Sequence, residues 1–287
     1  MKPFDYIAPT SLDEATGVLA RLGPSARLLA GGTDLLVELR SDRTKGPESI
    51  IDLSRIASLR GIELTDDAIT IKPLTTHASI SRSGVVRMHA PCLAMAASTI
   101  GSPQIRNRGT IGGNIANAAA CADTVPPLIA LGTILTLTSA SGSRECPLED
   151  FFIRPYATVA QPDEILTSIR CSVLPHGARG TFIKLGRRNS VSIARLSVAA
   201  VVSCDRAGNI TDARIVPGAA FPTWKRATEA EEALLGHRPS PQLLAEAGTL
   251  VANSMVAVTG RRWSTEYKEP VISVLVRRAL ESCVGRD

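Results

Sequence analysis

Two short glycine-centred strings hold the residue types best suited to binding chemistry, Ala30-Gly31-Gly32-Thr33-Asp34-Leu35 and Thr110-Ile111-Gly112-Gly113-Asn114. Adjacent glycines strip side chains from a turn, so that several backbone N–H groups can converge on anionic oxygens at close range. Two such cradles in one chain suit a single long cofactor with a diphosphate. Each string alone is equally compatible with a simple chain reversal. The first adds a hydroxyl and a helix-start residue in Thr33 and Asp34, and the second repeats that setting with Thr110 and Asn114. Neither matches Gly-x-Gly-x-x-Gly or Gly-x-x-x-x-Gly-Lys-Ser/Thr, so the Rossmann and P-loop readings have no support.

Other chemistries find no centre. The four histidines, at 77, 89, 176 and 237, lack metal-ligand spacing, and no Gly-x-Ser-x-Gly elbow occurs. The six cysteines, at 92, 121, 146, 171, 204 and 283, form no Cys-x-x-Cys pair and read as buried free thiols. No metal site and no catalytic acid, base or nucleophile is expected. The net charge of +5 is dispersed, with no basic run interleaved with aromatics, which argues against nucleic-acid binding. No run approaches the ~20 apolar residues that span a bilayer, and Met1 to Tyr6 lacks an apolar signal core; a cytoplasmic protein without membrane insertion is expected.

The elements that must position the strings follow from periodicity. Ser11 and Glu14 form a capping box ahead of Leu12, Ala15, Leu19 and Leu22, a helix that Gly23 stops. Arg27 to Ala30 reads as a buried strand, Gly31-Gly32 as a turn and Asp34 to Leu39 as a helix. Strands are expected at 49–53, 68–72, 133–138 and 164–173, and helices at 91–97 and 123–131; the stretch 102–122 lacks a period and reads as a long functional loop. A second organisation starts near Gly177, with strands at 181–185, 197–204 and 213–216, the last two joined by a turn at 205–209. Helices at 228–235, 241–253 and 269–283 close the chain, with Pro270 starting or kinking the last. With 287 residues two domains are expected, at 1–176 and 177–287, the second of the α+β class.

The first string, the stretch Ile100-Gly101-Ser102-Pro103-Gln104-Ile105-Arg106-Asn107-Arg108-Gly109 running into the second string, then Asn117-Ala118 and Ala122-Asp123, together resemble the FAD-binding medium subunit of the molybdenum hydroxylases, the xanthine dehydrogenase and carbon monoxide dehydrogenase type. The likeness runs through Phe182 to Arg188 and the closing helices. It implies an α+β fold: a vanillyl-alcohol-oxidase-type (PCMH) FAD-binding domain of two α+β subdomains, then a C-terminal domain with a three-stranded antiparallel sheet and helices. Carried over by position, Leu28, Leu29, Ala30, Gly31, Gly32, Thr33, Asp34 and Leu35, with Thr110, Ile111, Gly112, Gly113 and Asn114, would wrap the diphosphate and ribityl chain. Asp123 would hydrogen-bond the cofactor, Ile100 and Gly101 would lie against the flavin ring, Ile165 would border the adenine end, and Lys184 would sit near the isoalloxazine.

The resemblance also implies an electron relay. Electrons would pass from [2Fe-2S] clusters on an iron–sulfur partner to NAD+, with dioxygen or a quinone as other acceptors. Molybdopterin would belong to a large partner subunit, and the assembly would be a dimer of heterotrimers. The cysteine-bearing insertion that holds a further cluster in some relatives has no counterpart here. A stand-alone flavin oxidase or reductase, or a non-enzymatic nucleotide-binding module, are the readings that compete with it.

Overall fold

The computed structural model describes residues 3–41, 46–188 and 191–285. The first unit is a small parallel sheet of β1 (Asp5–Ile7), β2 (Ala26–Leu29) and β3 (Ser49–Asp52), with β3 in the centre. Helix α1 (Leu12–Leu22) links β1 to β2, with the Ser11 hydroxyl accepting from the Glu14 amide as its capping box requires. Its Ala15, Val18 and Leu19 pack on Ile51 and Leu53. After β2 the chain turns at Gly31-Gly32 into α2 (Leu35–Arg40).

The second unit opens with the hairpin β4 (Ile62–Leu64) and β5 (Ala68–Ile71). Six short helices follow: α3 (His77–Arg82), α4 (Gly84–His89), α5 (Pro91–Ser98), α6 (Pro103–Arg108), α7 (Ile111–Asn117) and α8 (Val125–Ala130). Strands β6 (Ile134–Ser139), β7 (Gly142–Pro147), β8 (Phe152–Arg154), β9 (Ala157–Thr158) and β10 (Ile165–Ser172) complete it. The antiparallel order is β4-β5-β10-β6-β7, with β8 and β9 as a separate ribbon. The expected loop over 102–122 is instead largely α6 and α7. At six and seven residues neither shows two full turns, so no period is visible; their starts are fixed by Ser102 and Thr110, whose hydroxyls accept from the Ile105 and Gly113 amides.

The third unit is the antiparallel sheet β11 (Arg179–Leu185), β12 (Leu196–Cys204) and β13 (Ile210–Gly218), in that order, followed by α9 (Thr228–Glu232), α10 (Pro241–Thr259) and α11 (Thr265–Val284). Strand β12 is buried on both faces, which is why it reads as a nearly unbroken apolar run. Val198, Ala200 and Val202 pack under α10 and α11, whereas Ala199 and Val201 face the core of the second unit. The two units therefore share one apolar interior, reinforced where Phe152 meets Trp224 at 4.5 Å between ring centroids. Pro270 neither starts nor ends α11, which begins five residues earlier at Thr265 and runs through it. Of the cysteines, 92, 146, 171 and 283 are buried as expected, but Cys121 is half-buried and Cys204 is exposed at the end of β12.

Candidate functional site

The two glycine strings meet. A cleft of about 480 Å³ is lined by Leu28, Ala30, Gly31, Gly32, Thr33, Asp34 and Leu35 on one wall and by Thr110, Gly112 and Gly113 on the other. Ile165, at the start of β10, reaches the same cleft while almost fully buried among the residues packed on the first sheet. The strings approach so closely that a Cβ on Gly31 would lie 2.2 Å from the Arg108 carbonyl oxygen. Gly32 has φ +75°, the left-handed region that a side chain disfavours.

The strings are not equivalent donors. Among the described residues the amides of Gly31, Gly32, Thr33 and Asp34 have no acceptor, so these four N–H groups are available. The second string's amides are already used: Ile111 donates to the Thr75 carbonyl, Gly112 to Pro73, Gly113 to the Thr110 hydroxyl and Asn114 to the Thr110 carbonyl. This corrects the expectation of two equal anion cradles. Only the first string keeps amides free for an anion; the second docks on the 73–77 segment and forms the far wall of the cleft, with Ile111 fully buried in the core rather than facing the cleft. A valine has no room at Gly112, where a Cβ would meet Pro73 at 2.4 Å.

Acidic residues also reach the cleft, and each is accounted for. Glu164 is clamped by Arg144, Nε to Oε1 at 2.6 Å and Nη2 to Oε2 at 2.9 Å, and accepts from the Gln161 amide at 2.7 Å. The Arg144 bonds hold its carboxyl below the usual range. Glu38 lies 3.4 Å from Arg27, and Asp34 is exposed at the start of α2. An anion here is therefore met by backbone dipoles rather than by surplus cationic side chains.

A second cavity, of about 420 Å³, opens between the α5–α6 turn and the end of β11, and is lined by Gly101, Arg106, Lys184 and Arg188 among others. Gly101 sits at φ +44°, and a Cβ there would lie 2.9 Å from the Ile105 side chain. Arg106 fixes the turn by donating from Nη1 to the carbonyls of Ile100 and Gly101, at 2.9 and 3.1 Å. Lys184 Nζ donates to Asp123 Oδ2 at 2.6 Å and to the Thr99 carbonyl at 3.2 Å, a pair only 10% and 7% exposed that joins β11 to the start of α8. The Lys184 ammonium is therefore held inside the protein rather than in solvent. Asn114 is held separately, its side-chain oxygen accepting from Thr124 at 2.7 Å.

Two buried side-chain atoms lack partners among the described residues, Asp123 Oδ1 and His77 Nδ1. Burial pushes the Asp123 carboxyl up to about 6, even against the pull of Lys184, and burial followed by Arg106 pushes His77 down to about 4. His77 and Arg106 escaped the sequence reading. Thr76, capping α3 through the Ser79 amide, was the available signal for the first; Arg106 stands inside the quoted 100–114 stretch, but nothing in its spacing shows that its guanidinium ties a turn.

The raised Asp123 carboxyl has a stability consequence. Its folded value lies above its unfolded one, so the native state binds the extra proton and stability falls as pH rises from about 4 to about 6. We expect wild type minus Asp123→Asn, in urea unfolding of the cofactor-free chain, to fall by about 3 kcal/mol over that window and to stay flat above it. A difference that rises with pH there contradicts the assignment.

The comparisons with known proteins fall on this geometry. Residues 2–173 match the family model described as the FAD binding domain in molybdopterin dehydrogenase, and residues 181–283 match the CO dehydrogenase flavoprotein C-terminal domain. The chain belongs to the FAD-binding medium subunits of the molybdenum hydroxylases. Similar proteins include the 6-hydroxypseudooxynicotine dehydrogenase complex subunit alpha of Paenarthrobacter nicotinovorans, 33% identical over 100% of this chain and 97% of that one. The carbon monoxide dehydrogenase medium chain of Hydrogenophaga pseudoflava is 32% identical over 99% and 98%. Among solved structures, carbon monoxide dehydrogenase from Hydrogenophaga pseudoflava superposes with a TM-score of 0.90 at 34% identity, over 99% of this chain and 98% of that one. For a medium subunit of this family the residues present fit FAD: four free amides border a cleft whose tight approach needs glycine, and the Asp123 carboxylate paired with Lys184 keeps one buried oxygen without a partner.

Proposed function

We propose that this medium subunit relays electrons from an iron–sulfur partner, carrying [2Fe-2S] clusters, to NAD+, and that a molybdopterin-bearing large subunit completes a dimer of heterotrimers in the cytoplasm. The observation that carries the reading is the meeting of both glycine strings at one cleft, with the Lys184–Asp123 pair at a second cavity lined by Lys184. FAD, when bound, supplies the exchange between one-electron and two-electron carriers. Gly31, Gly32, Thr33 and Asp34 would hold its diphosphate through their amides, with Leu28, Leu29, Ala30 and Leu35 shaping that wall. Thr110, Gly112, Gly113 and Asn114 would close the other wall, with Ile111 anchoring it from the core. Ile165 would border the adenine, Ile100 and Gly101 the ring, and Asp123 Oδ1 would accept from the cofactor. Lys184 would place positive charge where negative charge accumulates on reduction. We place the junction between the FAD-binding and C-terminal domains at 176/177.

A relay of this kind draws its electrons through partners. In the assembled complex the organic substrate is expected to bleach the flavin, whereas the FAD-loaded chain alone should stay oxidised with the same substrate. Rapid bleaching of the isolated chain contradicts the relay and marks a self-contained flavin oxidoreductase.

A further inference from the structure

Next to the cavity beside Lys184 lies a smaller pocket of about 200 Å³ between α3, α4, α5 and α6. Arg82, Arg87, Arg106 and Asn107 line it with the serines 81 and 98, and no acidic side chain is among the lining residues. Ser98 and Arg106 line both spaces, so the two adjoin. The guanidinium groups are only partly used. Arg87 spends Nε on the Ser81 carbonyl at 2.8 Å, and Arg106 spends Nη1 on the turn carbonyls of Ile100 and Gly101. Arg82, exposed at the end of α3, has no ion-pair or hydrogen-bond partner among the described residues. Three guanidinium groups around one small pocket, with no carboxylate lining it, repel one another unless an anion joins them, and their planar forks suit phosphate oxygens.

We propose that this pocket is the diphosphate subsite for a dinucleotide electron acceptor, whose reactive end extends past Ser98 and Arg106 into the cavity beside Lys184. The inference rests on the flavoprotein reading and adds a site to it. The diphosphate pocket itself uses none of the residues assigned to FAD, whereas the cavity it opens into is lined by Gly101 and Lys184, where the flavin ring would be met. Arg82 and Arg87 supply the charge, Asn107 an amide, and Arg106 joins the subsite to the turn that would face the ring. Because the two spaces share Arg106, a ligand that bridges them is read by both: its anionic part by the arginines and its ring by position alone. The site is a preformed concavity of the kind that recognises ligands through a few fixed polar groups.

The test uses the FAD-loaded full chain, whose flavin content is measured first so that loss of cofactor is distinguished from loss of the subsite. NADH and inorganic pyrophosphate serve as probes, with binding followed by flavin fluorescence and calorimetry. Pyrophosphate is expected to compete with NADH, and Arg82→Gln and Arg87→Gln are each expected to raise both dissociation constants about tenfold at unchanged FAD content, the effect of losing one charge-assisted contact. Competition that vanishes, or NADH affinity unchanged in both variants, overturns the proposal. Pyrophosphate binding without NADH binding overturns the dinucleotide assignment and identifies a site for free anions only. A chain that takes up no FAD overturns the flavoprotein reading instead.

Discussion

Gly31→Ala is expected to cost the protein its FAD. The added Cβ would stand 2.2 Å from the Arg108 carbonyl oxygen and 3.0 Å from the Gly109 Cα, both backbone atoms that cannot swing aside. Relief requires the first string to move away from the segment leading into α7. That movement disturbs the turn that aims the free amides of Gly31, Gly32, Thr33 and Asp34. Overpacking of this kind costs roughly 1–3 kcal/mol, and since the same displacement spoils the cradle, FAD affinity should fall by about two orders of magnitude. Gly84→Ala is the control, because a Cβ there meets open space. Equilibrium dialysis against FAD reads the difference. Equal affinity in Gly31→Ala and wild type would remove the first string from the site.

Lys184→Met is expected to destabilise the fold as well as alter the flavin environment. The substitution keeps the volume of the side chain along β11 but removes the ammonium from Asp123, which is buried and already has one oxygen without a partner. Breaking a buried pair from one side typically costs about 3–5 kcal/mol, because the remaining charge has no solvent to return to. The carboxyl, at about 6 with the lysine present, should then rise further and take up a proton near neutrality. Lys184→Met combined with Asp123→Asn should recover much of the loss, since it removes the stranded charge. A double-mutant cycle in urea measures this. If Lys184→Met costs less than about 0.5 kcal/mol, as for an unpaired surface lysine, the pair does not hold β11 to the start of α8.

How much of this was legible in the residues depended on the scale of the signal. Helix α1 was readable to the residue because its cap, periodicity and stop signal all lie within one local segment, and β12 was readable because both of its faces are buried. The hairpin strand β4, the short helices α3, α4, α6 and α7, and β7 were missed, since the helices run for less than two full turns, β4 has only three residues, and β7 is an exposed polar strand with no apolar alternation to read. The same limit applied to the site. The strings Ala30 to Leu35 and Thr110 to Asn114 could be found as strings, but which of them keeps free amides could not. That is decided by the carbonyls of Pro73 and Thr75, nearly forty residues upstream, which capture the second string's donors. Likewise Asp123 and Lys184 stand 61 positions apart, and only the packing of β11 on the second unit brings them to 2.6 Å.

The comparison of the two strings also changes what each glycine is for. Gly31 permits a close backbone approach, Gly32 permits a left-handed turn, and Gly112 makes room for Pro73. Only the first two border the donors that an anion would use. Substitutions across the two strings should therefore separate into those that remove the cradle and those that dislodge the wall behind it.

The most direct test of the account is the absorbance spectrum of the purified full chain after incubation with FAD and removal of the excess. A yellow protein with stoichiometric FAD, bleached by dithionite and restored by air, is the predicted result. A colourless protein that cannot be loaded with FAD would contradict the account at its centre.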